Sequence, residues 1–139
     1  MTFDDLPKNF RDLPLDDPIL RADVVDLFVG YVDRAEGCLA ILLLDDEHRC
    51  VQPVLITELG PADPTTLGSP IRVMLDELRP PAVVAALGRQ GSPLFTDTDR
   101  SCHQVLVEVC REVGVDLVAA YVATEHAVRE LPEHLRLAS

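Results

Sequence analysis

The sequence predicts an α/β domain: one mixed β-sheet with helices on both faces. Three patterns carry that prediction. Short, wholly apolar runs at 38–44 and 82–87 have the length and Leu/Val/Ile/Ala content of buried strands. Segments with apolar residues three and four apart lie before, between and after them, as amphipathic helices require. Pro and Gly clusters separate the two kinds of segment. The chain has 139 residues, the usual size of one domain and enough to bury a core without disulfide staples.

Taken in order, residues 1–17 are polar and acidic with Pro7 and Pro14, and read as a flexible arm with little structure of its own. The single domain is expected over 18–139. A helix is expected over 18–33, with Val24, Leu27, Phe28, Tyr31 and Val32 on one face. The run 38–44 is a buried strand, Asp45-Asp46-Glu47-His48 a polar turn, and 49–57 the returning strand of a hairpin. Pro53 makes that second strand an edge strand or puts a bulge in it. After a Gly- and Pro-rich loop, Ser69 and Pro70 have the N-cap and N1 types that open a helix, with Ile71, Met74, Leu75 and Leu78 as its buried stripe. Pro80-Pro81 stops it.

The run 82–87 is then a central strand, apolar on both sides as a parallel strand is. Thr96 or Asp97 caps a helix running to about Val113, with Cys102, Val105, Leu106, Val109, Cys110 and Val113 inward and Gly114 at its end. A further strand follows over 116–123, and 124–131 reads as a short helix or turn before a polar tail.

Composition narrows the function. The net charge is −12, and no basic cluster interrupts it, so a nucleic-acid role is not expected. The acidic excess serves solubility or attracts a basic partner. No apolar run is long enough to span a bilayer, and the acidic start lacks a secretory pattern, so a cytoplasmic location is expected. Cys38, Cys50, Cys102 and Cys110 form no C-x-x-C pair and are expected as reduced, buried thiols. One lysine beside eleven arginines points to a high-GC bacterial source.

The loop 88–99 follows the carboxyl end of the central strand, the usual ligand crevice of an α/β sheet. Gly88 and Gly91 could admit a ligand to the backbone, Arg89 could bind an anion with Ser92 beside it, and Asp97 and Asp99 could hold a water or metal or orient a bound group. These residue types also serve a tight connection and a helix cap, which is the plainer reading. The spacing fits neither a Walker loop nor a dinucleotide fingerprint. His48 with Cys50 lacks an orienting third group, and Cys102, His103 and Cys110 share one helix whose apolar face takes both cysteines. Glu36 and Glu58 flank the hairpin, and His126 and His134 carry no pattern.

Several stretches together resemble the RadC-like branch of the JAB/MPN superfamily, whose fold is cytidine-deaminase-like. Ile41-Leu42-Leu43-Leu44-Asp45-Asp46-Glu47-His48-Arg49 is similar to that family's first strand and its Leu-Asp-x-x-x-Arg turn. Residues 70–78 resemble the helix after the hairpin, and Pro81-Ala82-Val83-Val84-Ala85-Ala86-Leu87 the strand that delivers the zinc loop. Thr96-Asp97-Thr98-Asp99 is similar to the Ser-x-x-Asp element, and the likeness spans roughly 20–131. The resemblance implies zinc held by His-x-His-Pro plus the aspartate, with a glutamate as base. Ala86-Leu87-Gly88-Arg89-Gln90-Gly91-Ser92-Pro93 contains no histidine, Asp99 alone matches a ligand, and Glu36 is about one residue out of register. Zinc needs three protein ligands even in an open site. The expectation is a degenerate member without metal, cofactor or catalytic residues, acting through a protein partner or as a homodimer. A zinc-independent enzyme or small-ligand binder using the 88–99 loop is the alternative.

Overall fold

The computed structural model describes residues 10–132. Four helices and five strands follow one another: α1 (Pro18–Phe28), α2 (Tyr31–Glu36), β1 (Cys38–Leu44), β2 (Cys50–Ile56), α3 (Pro64–Leu78), β3 (Ala82–Gly88), α4 (Asp97–Val113), β4 (Asp116–Ala123) and β5 (Val128–Glu130). The strands form one mixed sheet in the order β2-β1-β3-β4-β5. β1 is antiparallel to both β2 and β3, β3 and β4 are parallel, and β5 returns antiparallel to β4.

Every residue of β1 and β3 is buried, because alternate side chains enter two separate cores. On one face Leu39, Ile41, Val83 and Ala85 meet Ile71 and Leu75 of α3 and Cys102, Leu106 and Val109 of α4. On the other, Ala40, Leu42, Val84 and Tyr121 meet Val24, Val25 and Val29. The α/β class with helices on both faces is therefore as expected.

Four local expectations are corrected. The helix expected over 18–33 is two helices, since Val29 is extended and Gly30 begins a second N-terminus. Arg34 explains the break: its Nε donates to Val29 O (2.8 Å) and Nη2 to Asp26 O (3.2 Å), satisfying carbonyls that α1 leaves behind. Tyr31 and Val32 are consequently exposed, and Val25 and Val29 take the buried face. The next helix starts at Pro64, not at Ser69, because Asp63 caps it by accepting from Thr65 N (2.9 Å). Pro70 thus lies inside α3, where it withholds one helical N–H. Of its expected stripe, Leu78 is exposed and Leu67 is buried in its place.

Segment 124–131 is neither helix nor plain turn. Thr124 N donates to Ala127 O (2.9 Å), and Thr124 Oγ1 accepts from His126 N (3.2 Å) and Ala127 N (3.3 Å). This turn folds β5 back onto β4 without the Gly or Asn that usually marks a hairpin. Finally, residues 1–9 of the expected arm lie outside the described residues, but its last part is structured. Phe10–Asp12 form a 3-10 turn, and Leu15 is buried with its N–H donating to His48 O (2.8 Å).

Candidate functional site

The loop between β3 and α4 is shaped by two backbone constraints and one ion pair. Gly88 ends β3 against the hairpin: a Cβ there would collide with Cys38 Sγ and press within 3.3 Å of Arg34 Cα. Gly91 turns the chain at φ +99, a conformation that favours glycine. Thr96 and Asp99 then form a capping box, with Asp99 N donating to Thr96 Oγ1 (3.1 Å) and Thr96 N to Asp99 Oδ2 (2.9 Å).

Arg89 fills the centre of this loop. Its Nε and Nη2 donate to the two oxygens of Asp99 at 2.9 and 2.7 Å, a bidentate pair. Nη1 donates to Gln90 O (3.0 Å) and Ser92 O (2.8 Å), and Nη2 also to Leu94 O (3.0 Å). All five guanidinium N–H groups are spent within the loop, so Arg89 has no donor left for an anion. Burial works to raise the pKa of Asp99, but the Arg89 hydrogen bonds, the Thr96 amide and the arginine charge outweigh it and hold the carboxyl below its usual value.

The other residues of the loop are equally committed or open to solvent. Ser92 Oγ accepts from Leu94 N (3.1 Å), and Asp97 is exposed with Arg100 beside it (3.2 Å). Arg129 of β5 lies over the Phe95 ring at 4.6 Å and donates to Pro93 O (3.1 Å), tying the sheet edge to the loop. Gly88, Arg89, Gly91, Ser92, Asp97 and Asp99 thus lie in one loop, where Arg89 is bonded to Asp99 and Ser92 O while Asp97 pairs outward with Arg100.

The remaining candidates stay apart. His48 Nδ1 lies 2.6 Å from Asp16 Oδ1 and Nε2 3.8 Å from Asp116 Oδ2, while half-buried Cys50 packs toward the α1 core. Cys102 and Cys110 are buried against α3, as expected, and His103 is buried as well. Burial pushes the thiols of Cys38, Cys102 and Cys110 up to about 11, the reverse of a nucleophile's activation. Glu36 and Glu58 are exposed. His126 is exposed in the β4–β5 turn, and His134 lies outside the described residues. Among the described residues, no three His, Cys, Asp or Glu side chains are placed to hold a metal ion. None of the described helices is long and apolar enough to cross a membrane.

Sequence reasoning missed a different feature, a cleft of about 540 Å³ between α1, α2 and the β4–β5 hairpin. Behind it lies buried Arg21, whose Nε donates to Tyr121 Oη (2.8 Å), Nη2 to Glu130 Oε1 (2.9 Å) and Nη1 to Leu15 O (3.0 Å). Tyr121 also donates to Glu130 Oε1 (3.1 Å), and burial pushes its phenol up to about 12 against the lowering effect of Arg21. Arg34 borders the cleft, held by Asp26 Oδ1 (2.7 Å) and Thr124 O (3.0 Å), with the Tyr31 ring 4.7 Å from its guanidinium. The signal that could have found this cleft is a pair of arginines, Arg21 and Arg34, each close in sequence to a carboxylate in the helical segments before β1.

Comparison with known protein families finds no matching model, and no curated protein matches the chain.

Proposed function

We propose that this chain is a non-catalytic, metal-free protein-interaction or scaffolding domain on a JAB/MPN-like fold, related to the RadC-like branch. The observation that carries the reading is the state of Asp99. It is the one residue matching a family zinc ligand, and both of its oxygens are held by Arg89, with Thr96 N on one of them. An internal cation thus takes the carboxylate that a metal would need. The residues present do not fit zinc: segment 86–93 supplies no imidazole, and Gly88 is too closely packed on Cys38 and Arg34 to accept one. The element order supports the fold assignment, with a hairpin followed by two α/β units and the loop delivered from the carboxyl end of the central strand.

The test is the metal content of the purified, untagged protein by mass spectrometry, with its solution mass from the same sample. Near-zero zinc is expected, and self-association is expected as a homodimer. Stoichiometric zinc would overturn the reading.

A further inference from the structure

We propose that the groove between α1 and β5 receives an extended, basic segment of a partner protein. The inference rests on the interaction-domain reading and supplies the chemistry of the partner. Three features of the groove select that occupant.

The first is its charge. Four carboxylate residues line the cleft, Asp23, Asp26, Glu125 and Glu130, against two arginines, Arg34 in its lining and buried Arg21 behind it. Asp26 and Glu130 each spend one oxygen on a buried arginine. The same contacts fix their positions, and among the described residues Asp26 Oδ2 and Glu130 Oε2 accept no hydrogen bond. These acceptors are pre-organised, so a Lys or Arg side chain meets them without ordering flexible acids first. A chain of net charge −12 also steers a basic segment toward it.

The second is the apolar lining. Ile19 and Tyr31 are 62% and 65% exposed, yet both border the cleft. They flank the carboxylates as an aromatic and aliphatic anchor flanks the polar contacts of an interface.

The third is backbone. Among the described residues, β5 is the last strand of the sheet and has a strand neighbour on one side only. Its Val128 and Glu130 line the cleft, so an extended segment pairing with the open edge places alternate side chains into it.

The experiment titrates a short labelled peptide alternating arginine with valine into the full chain, followed by fluorescence anisotropy. The glutamate–valine peptide is the reference. Saturable binding of the basic peptide is expected, with amide shifts at Val128 and Glu130. Glu125→Lys, at an exposed turn residue, is expected to weaken binding about tenfold, as loss and reversal of one close charge implies. Glu77→Lys changes net charge equally from exposed α3 on the opposite face of the sheet, and should change affinity less than about twofold. Equal weakening by both variants, equal binding of both peptides, or no binding would overturn the proposal. Zinc is measured in the same sample: a zinc-free protein that ignores the peptide sinks the partner chemistry alone, whereas bound zinc sinks the reading beneath it.

Discussion

At the scale of single residues, the Arg89–Asp99 pair joins the fold to the functional reading. The Asp99 side chain is 3% exposed and that of Arg89 19%, so removing the arginine strands a carboxylate away from water. Breaking such a pair costs about 3–5 kcal/mol. Arg89→Ala should therefore lower stability by roughly that amount in urea unfolding. Asp99 also fixes the sign of the pH dependence. Its folded pKa lies below its ordinary value, so the unfolded chain binds the proton more readily. Its stabilising contribution is fully present above the unfolded value of about 3.9, and is lost as pH falls through the depressed folded value. Asp99→Asn should be less stable at neutral pH and should lose less stability on acidification than the parent. Stability curves at several pH values check this, and parallel acid limbs for the two proteins would refute it. The residues of this loop were legible in the sequence, because Thr96, Asp99 and the glycines are the types that caps and turns demand. Their mutual saturation was not, since it depends on where one long side chain ends.

At the scale of elements, regular structure was legible where one pattern dominated and illegible where tertiary contacts decided. β1 and β3 are unbroken apolar runs, and α4 has one apolar face between a capping box and Gly114, so neither depended on its neighbours for recognition. The break between α1 and α2 needs Arg34, whose hydrogen bonds also reach Thr124, ninety residues further along the chain. β5 has three residues and no alternation long enough to read, and it exists because the Thr124 turn brings it to β4. α3 shows two competing start signals, Asp63-Pro64 and Ser69-Pro70. The earlier one wins because it places Leu67 in the core beside Ile71 and Leu75. The losing signal leaves Pro70 at an exposed position inside the helix, where no N–H can bond Thr66 O. Replacing it with alanine supplies that donor. Pro70→Ala should stabilise the protein by about 1 kcal/mol, less than the full helix-interior cost of proline because the unfolded chain also gains freedom. A raised urea midpoint with an unchanged slope would bear this out, and a lowered midpoint would mean that the proline ring packs usefully.

At the scale of the whole molecule, one sheet separates two cores and also joins them. β1 and β3 contribute alternate residues to each, so neither core can dissolve without exposing the back of the other. That arrangement predicts a single cooperative transition, as small domains usually show. Leu106 belongs to the α4 side and Val25 to the α1 side, and both are 1% exposed. Leu106→Ala should cost about 2–5 kcal/mol, and Val25→Ala somewhat less because fewer methyl groups leave the core. The two residues lie in different clusters on opposite faces of the sheet, so their costs should add to within about 0.5 kcal/mol in the double variant. Each variant should unfold in one step by fluorescence-independent probes such as far-ultraviolet circular dichroism and amide exchange, a sensible choice in a chain without tryptophan. Two separate transitions in the Val25→Ala variant, with the α3–α4 side persisting, would mean that the α1–α2 layer is a dispensable cover. The groove that it forms with β5 would then open independently of the rest of the fold, so the same experiment measures how firmly the proposed docking surface is held.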